Sequence, residues 1–323
     1  MNNNQNIEND IKIINRRKGK ILTSKKKDIK PKKFLRNSAH KSTSKSINKF
    51  LNNDVDSKNK LNLNKGKRRK SEFIRSNLNL NSYEYLKSLL ENINEIVISQ
   101  EADIMEAVMG CQQPNNYHVY GRMKDGQLSY ILKCREFSSC CMRCCCSVDN
   151  RQFSMKIKSA IQDVCDNTDD EEFTDSLIDI IKDCRCPCIC CIRPEMEIFL
   201  TNKNKKIGKV EHACSFCDPI FNIYDQNDNE IFYITADCCQ CGLLYRNSFI
   251  GKTDEAHFFI YKPDGKNTPI GDICKKAAKS MFSIADNYSI LLPSNSTAEE
   301  KVLLTMAGIM IDYQYFEKNT NSK

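Results

Sequence analysis

The pattern of apolar and polar positions divides the chain sharply. Along residues 1–80, single apolar side chains are scattered among Asn, Lys and Ser with neither a helical nor a strand period. Such a segment buries too little surface to offset its conformational entropy, so it is expected to be a disordered arm. From Ser82 onward the pattern becomes periodic. Leu86, Leu89, Leu90 and Ile93 recur at helical spacing, and the β-branched run Ile96-Val97-Ile98 reads as a strand. Residues 127–132, 197–200, 207–210, 221–224, 230–235 and 257–261 are further short strand-like runs. Turn signals such as Lys124-Asp125-Gly126 and Pro263-Asp264-Gly265 punctuate them, and many short strands with polar turns predict an antiparallel barrel or sandwich. Residues 163–183 interrupt this rhythm with nine acidic residues and one lysine, and read as an exposed acidic insertion. The expected organisation is an arm at 1–80, a β-domain at 81–318 and a short disordered tail at 319–323.

The last element has a different character. Thr297-Ala298-Glu299-Glu300 has capping-box spacing and opens a segment apolar on every side: Val302, Leu303, Leu304, Met306, Ala307, Ile309, Met310 and Ile311. A helix apolar all round is buried in a protein core or in a bilayer. The stretch between Lys301 and Asp312 has only ten residues, about 15 Å at 1.5 Å per residue against a hydrocarbon core of about 30 Å. Length favours a core helix, and a span would place Asp312 in lipid.

Charge sharpens the division. Residues 1–80 carry 23 Lys and Arg against 6 Asp and Glu, leaving 26 against 35 for the rest, so the arm is basic and the body mildly acidic. The densest basic run, Lys65, Lys67, Arg68, Arg69 and Lys70, suits an anionic membrane face or nuclear import, and also a solvated tail.

The nineteen cysteines sit in tight runs, their number is odd, and the start MNNNQNIEND has no apolar signal core. They are read as reduced thiols available for acylation or metal binding. Cys214-x2-Cys217 and Cys238-x2-Cys241, separated by 20 residues, have the spacing of a four-thiolate zinc site. Cys184, Cys186, Cys188, Cys190 and Cys191 surround Pro187, which disfavours regular structure, and form a candidate S-palmitoylation run. Familiar enzyme signatures fail: Gly121 and Gly126 have P-loop spacing, but Gln127-Leu128 replace the required Lys and Ser/Thr. Asp225-x-Asn227-x-Asn229 copies the opening of a calcium loop, but Glu230 replaces its glycine, and a hairpin turn is the simpler reading.

The order of several short motifs resembles the phospholipid scramblase family. These are Tyr117-His-Val-Tyr, Cys140-Cys141-x2-Cys144-Cys145, the Cys-Pro-Cys run at 186–188, Glu195-Met-Glu-Ile198, Ile207-Gly-Lys-Val210 and Pro219-x-Phe221-x-Ile223. Ala285-Asp-Asn-Tyr288, Pro293 and the closing Ile311-Asp-Tyr-Gln-Tyr-Phe-Glu317 continue the likeness, which runs from about Tyr85 to Glu317. The resemblance implies a tubby-like, mainly β fold: a closed antiparallel barrel wrapped around a buried hydrophobic C-terminal helix. It also implies palmitate on the 184–191 cysteines and ATP-independent, calcium-stimulated movement of phospholipids between leaflets. The implied calcium loop falls at 284–295. There Ile284 and Asn295 stand at the terminal ligand positions, Tyr288, Ile290 and Leu292 offer no useful side-chain oxygen, and Asp286 is the one carboxylate. Ile290 and Leu292 read instead as a core-facing strand.

The leading expectation is therefore a lipid translocator rather than a conventional catalyst. Its partners would be phospholipids, an anionic membrane surface and further copies of itself. It would be anchored by lipid at the cytoplasmic face of the plasma membrane, with a nuclear pool as a second location. One alternative is a membrane-tethered lipid-binding or signalling adaptor without transport. The other is a zinc-stabilised nuclear protein, against which the acidic body and missing basic–aromatic stripe argue. Nucleic acid is not an expected partner.

Overall fold

The computed structural model describes residues 83–101, 113–123, 125–146, 150–160, 176–184, 193–244, 255–265, 268–276 and 287–317. The basic run 65–70 and the expected arm and tail lie outside them. An opening helix, α1 (residues 83–91), turns its Leu86 and Leu90 into the core. Twelve strands follow: β1 (Ile93–Gln100), β2 (Asn116–Met123), β3 (Leu128–Phe137), β4 (Phe153–Ser159), β5 (Ile178–Lys182) and β6 (Glu195–Leu200), then β7 (Lys205–His212), β8 (Ile220–Asp225), β9 (Glu230–Thr235), β10 (Ala256–Tyr261), β11 (Gly271–Lys275) and β12 (Asn287–Leu291). Each pairs antiparallel with its neighbour in sequence, and β1 pairs with β12 to close a barrel.

Strand alternation explains the closure. In β2, Tyr117 and Val119 face inward; in β8, Phe221 and Ile223 do; in β9, Phe232 and Ile234 do. Many outward positions are polar or charged, as at Glu95, Arg122, Lys133, Arg135, Glu197 and Lys209, with Ile181, Phe259 and Leu291 as exposed apolar exceptions. A closed barrel leaves no open edge, but it needs a filled interior.

The filling is α4 (Ala298–Ile311), in which Ala298 and all residues from Lys301 to Ile311 are buried. The Thr297 hydroxyl accepts from the Glu300 amide at 3.2 Å, and the Glu300 carboxylate accepts from the Thr297 amide at 2.6 Å, completing the capping box. Fourteen residues make a helix of about 21 Å, close to the rise of about 20 Å of a six-residue strand. The helix is thus as long as the lumen is tall. Among the described residues no helix is long and apolar enough to cross a membrane. At Gly308 an added Cβ would lie 3.1 Å from both Ile98 and Ile290, so the missing side chain lets the helix approach β1 and β12. At Gly208 a Cβ would overlap the Tyr224 carbonyl oxygen and press on Leu303.

Two features depart from the pattern-based reading. The acidic stretch 163–183 is not wholly an exposed insertion, because its last part forms β5, with Leu177, Ile178, Ile180 and even Lys182 buried. Net acidity masked a period-two alternation. Strands β2, β4 and β11 were not singled out either, since Gly121, the lysines of β4 and the shortness of β11 weaken their apolar pattern. The 225–229 segment is the β8–β9 hairpin, in which Asp225 Oδ1 accepts from the amides of Asn227 and Asn229.

Truncating the helix at its centre should show how far the barrel depends on it. Met306→Ala is expected to cost about 2–5 kcal/mol by denaturant unfolding, with far-UV circular dichroism retained. Gly208→Ala should also lower Tm, because the Tyr224 backbone has to move.

Candidate functional site

Strand direction sorts the connections into two rims. With every neighbour antiparallel, β3, β5, β7 and β9 end at one rim and β4, β6, β8 and β10 begin there. Described cysteines from four separate runs of sequence share this rim. Helix α2 (Cys140–Cys145) joins β3 to β4, Cys184 follows β5, Cys214 and Cys217 join β7 to β8, and Cys238, Cys239 and Cys241 lie between β9 and β10. Cys140, Cys141, Cys145, Cys184, Cys214, Cys217, Cys239 and Cys241 are exposed thiols. Phe216 stands fully in solvent between Cys214 and Cys217, and Leu244 is exposed at the end of the short helix α3 (Cys241–Leu244). Among the described residues, the connections at the opposite rim carry no cysteine.

Of the zinc-spaced thiols, the structure brings Cys217 and Cys238 together with Asp218, their ligand atoms within 4.8 Å of one another, and a second group joins Asp237, Cys238 and Cys239. Cys214 and Cys241 enter neither group. Of the acylation run, Cys184 is described and exposed, whereas Cys186, Cys188, Cys190 and Cys191 lie outside the described residues. Of the calcium-loop residues, Asp286 also lies outside them. Asn295 is an exposed turn residue with φ 63° just before α4. Asn295 follows the end of β12, which closes at Leu291. Inside the barrel, Tyr288 and Ile290 are buried, and Leu292 is buried just beyond the strand.

Beneath the cysteine rim, α4 ends in a polar plug that pattern reading missed. The chain continues into one π-helical turn, Asp312–Phe316. Buried Asp312 accepts from the Tyr117 hydroxyl at 2.7 Å and the Tyr288 hydroxyl at 2.5 Å. Glu136 accepts from the Tyr313 hydroxyl at 2.7 Å, the Asn115 amide at 2.9 Å and the Arg151 guanidinium at 3.1 Å. Arg151 also pairs with Glu317 at 2.9 Å, and buried Lys182 donates to the Arg151 carbonyl at 2.9 Å. Tyr313 stacks on Phe153 and lies beside Arg151. The plug reaches α2 through Ser138, whose hydroxyl donates to Glu136 at 2.6 Å and accepts from Arg143 at 3.0 Å. A buried charge is tolerated only when so paired. The available signals were an aspartate ending an apolar helix and a lysine at an inward strand position.

The plug shifts its own titration. Burial pushes the Glu317 carboxyl up to about 8, reinforced by Glu136 and Asp312 and opposed by Arg151. His212, stacked on Phe221 and 3.0 Å from the Tyr315 hydroxyl, is lowered to about 4, chiefly by burial and then by Arg193.

Comparison with known sequences places this barrel. The Scramblase family profile matches residues 75–318. Human phospholipid scramblase 1 is 27% identical over 231 residues, which cover 71% of this chain and 64% of that protein. Bovine phospholipid scramblase 2 is 25% identical over 230 residues, covering 71% of this chain and 70% of that protein. Human phospholipid scramblase family member 5 is 25% identical over 231 residues, covering 71% and 76%. The chain belongs to the scramblase family.

The plug predicts opposing pH dependences. Glu317 is raised above its ordinary 4.5, so its contribution to stability is full below about pH 4.5 and is lost as pH rises through about 8. His212 is depressed from 6.5, so its contribution is full above pH 6.5 and is lost as pH falls through about 4. Unfolding free energies measured from pH 4 to 9 should lose the first slope in Glu317→Gln and the second in His212→Gln.

Proposed function

We propose that this chain is a phospholipid scramblase, moving phospholipids in both directions between leaflets without ATP. The observation that carries this reading is the family match across nearly the whole β-domain, residues 75–318. In this reading the protein sits at the cytoplasmic face of the plasma membrane with its cysteine rim toward the bilayer. Palmitate on Cys184, Cys186, Cys188, Cys190 and Cys191 holds it there, and the Lys65–Lys70 run adds attraction to anionic lipid. One acyl chain binds weakly, so several chains, or one chain plus a basic segment, make a stable anchor. The exposed Phe216 and Leu244 supply apolar contact at the same rim.

The filled barrel constrains the mechanism. Its lumen holds α4 rather than water, and its outer wall carries charged residues rather than an apolar belt, so lipid head groups do not pass through the interior. Translocation therefore runs by local disturbance of the bilayer at the rim or between copies in a homo-oligomer. It proceeds without calcium at 284–295, where β12 turns Tyr288 and Ile290 into the core. The filled lumen also favours a second reading, a membrane-tethered lipid-binding adaptor without transport.

A dithionite-quenching assay on protein reconstituted in liposomes separates the two. Scrambling is expected to take quenching well past the outer-leaflet half, equally with calcium and with chelator. Replacing all five cysteines of the 184–191 run by Ser should weaken association of cell-expressed protein with membranes. Quenching that stops near half, with protein bound to the vesicles, leaves the adaptor.

A further inference from the structure

Beside the Cys238–Cys241 segment, whose Gln240 side chain bonds the His257 backbone, the outer wall of the barrel carries a compact cluster of unlike donors. Glu255 immediately precedes β10, His257 is its second residue, and Cys274 lies opposite His257 on β11. Residues 255 and 257 share a strand face by period two, and the β10–β11 register brings the thiol alongside them. The Cys274 sulfur lies 3.7 Å from His257 Nε2 and 3.6 Å from a Glu255 oxygen, and that oxygen lies 3.7 Å from Nε2.

These separations have a chemical meaning. With Zn–S of about 2.3 Å and Zn–N and Zn–O of about 2.0–2.1 Å, the edges of a tetrahedron around zinc are roughly 3.3–3.6 Å long. The three donors already form a triangle close to one face of that tetrahedron, so an ion could sit against them after shifts of a few tenths of an ångström. The remaining nitrogen of the imidazole is held as well. His257 Nδ1 lies 2.8 Å from Asp272 Oδ2, so Asp272 fixes the ring and leaves Nε2 directed at the cluster. A carboxylate behind a metal-binding histidine is a common way to orient the ring and raise its basicity. The cluster also has a way in: His257 is 39% exposed and Glu255 46% exposed, while Cys274 closes the floor. Lys276 lies 3.6 Å from Glu255 and is also hydrogen-bonded to Cys274; 46% exposed, it can swing from both into solvent when a cation arrives.

We propose that Glu255, His257 and Cys274 form a site for a divalent transition-metal ion of the zinc class, with Asp272 positioning His257 and water completing the coordination. A set of one sulfur, one nitrogen and one oxygen suits zinc rather than calcium, which takes oxygen ligands. A Cys–His–Asp nucleophilic relay is the other chemistry this geometry suggests. The buried floor position of Cys274 gives a substrate no approach, and Glu255 would have no part in such a relay. The site is distinct from the thiols at Cys214–Cys241 and independent of lipid translocation. Binding there would clamp β10 to β11 across the end of the barrel.

The test uses the full chain, reduced and freed of metal, with zinc as probe. One equivalent of zinc should raise Tm, and His257→Gln and Cys274→Ser should each lose that rise together with about one equivalent of bound metal by equilibrium dialysis. The double variant Cys217→Ser/Cys238→Ser serves as control, since its nearby thiols could also hold zinc. It should keep the zinc-dependent rise. Because Cys274→Ser could disturb packing, His257→Gln, at a half-exposed position, carries the decision if the zinc-free Tm of the serine variant falls. A zinc-dependent rise that persists in His257→Gln, or that disappears in the Cys217→Ser/Cys238→Ser control, overturns the proposal.

Discussion

Enclosure of α4 is the constraint from which the rest of the structure follows. A helix with apolar residues on every side has no face to offer water, and fourteen residues are too few to cross a bilayer. Twelve antiparallel strands give it a closed apolar wall, and the helix gives those strands an interior. Neither is stable alone: an unfilled barrel of this size would hold a large apolar cavity, and cavities in cores are costly. Small residues set the fit, with Gly308 against Ile98 and Ile290 and Gly208 against Leu303 and the Tyr224 carbonyl.

Enclosure creates a difficulty at both ends of the helix, because the first four N–H and last four C=O groups of any helix lack partners within it. At the start the capping box meets it, while buried Lys301 donates to the carbonyls of Leu90 and Ile93 and ties α4 to the beginning of β1. At the far end the polar plug answers, with Asp312 and Glu136 set against Arg151 and Lys182. Glu317, whose carboxyl burial pushes up to about 8, adds a further partner for Arg151. The plug also connects the helix to α2, so the cysteine rim is mechanically tied to the core.

Much of the fold was legible in the sequence because its signals were local. The helix announced itself through Thr297, Glu300 and the unbroken apolar run, and ten residues against thirty ångströms placed it in a core. Most strands appeared where β-branched residues met turn signals, as at Ile96–Ile98 and before Pro263. What stayed hidden was non-local. No local window shows that cysteines at 140–145, 184, 214–217 and 238–241 share one rim, since that follows from strand direction alone. Lys182 and Arg151 carry no local sign of burial, because the Arg151 carbonyl that Lys182 meets, and the Glu136 and Glu317 that Arg151 meets, are brought to them only by the fold. His257 and Cys274 likewise became neighbours only through the β10–β11 register.

In the proposed reading the chain, a member of the scramblase family, meets the bilayer with its cysteine rim while α4 stays locked within the barrel. Hydrogen–deuterium exchange of the full chain, with and without anionic vesicles, tests that account most directly. The account predicts that amides of α4 stay the slowest to exchange in both conditions. Protection on membrane binding should be gained at 213–219 and 238–244, while the 226–229 hairpin at the opposite rim is unchanged. Loss of protection throughout α4 on membrane binding, as the helix leaves the barrel for the bilayer, would contradict it.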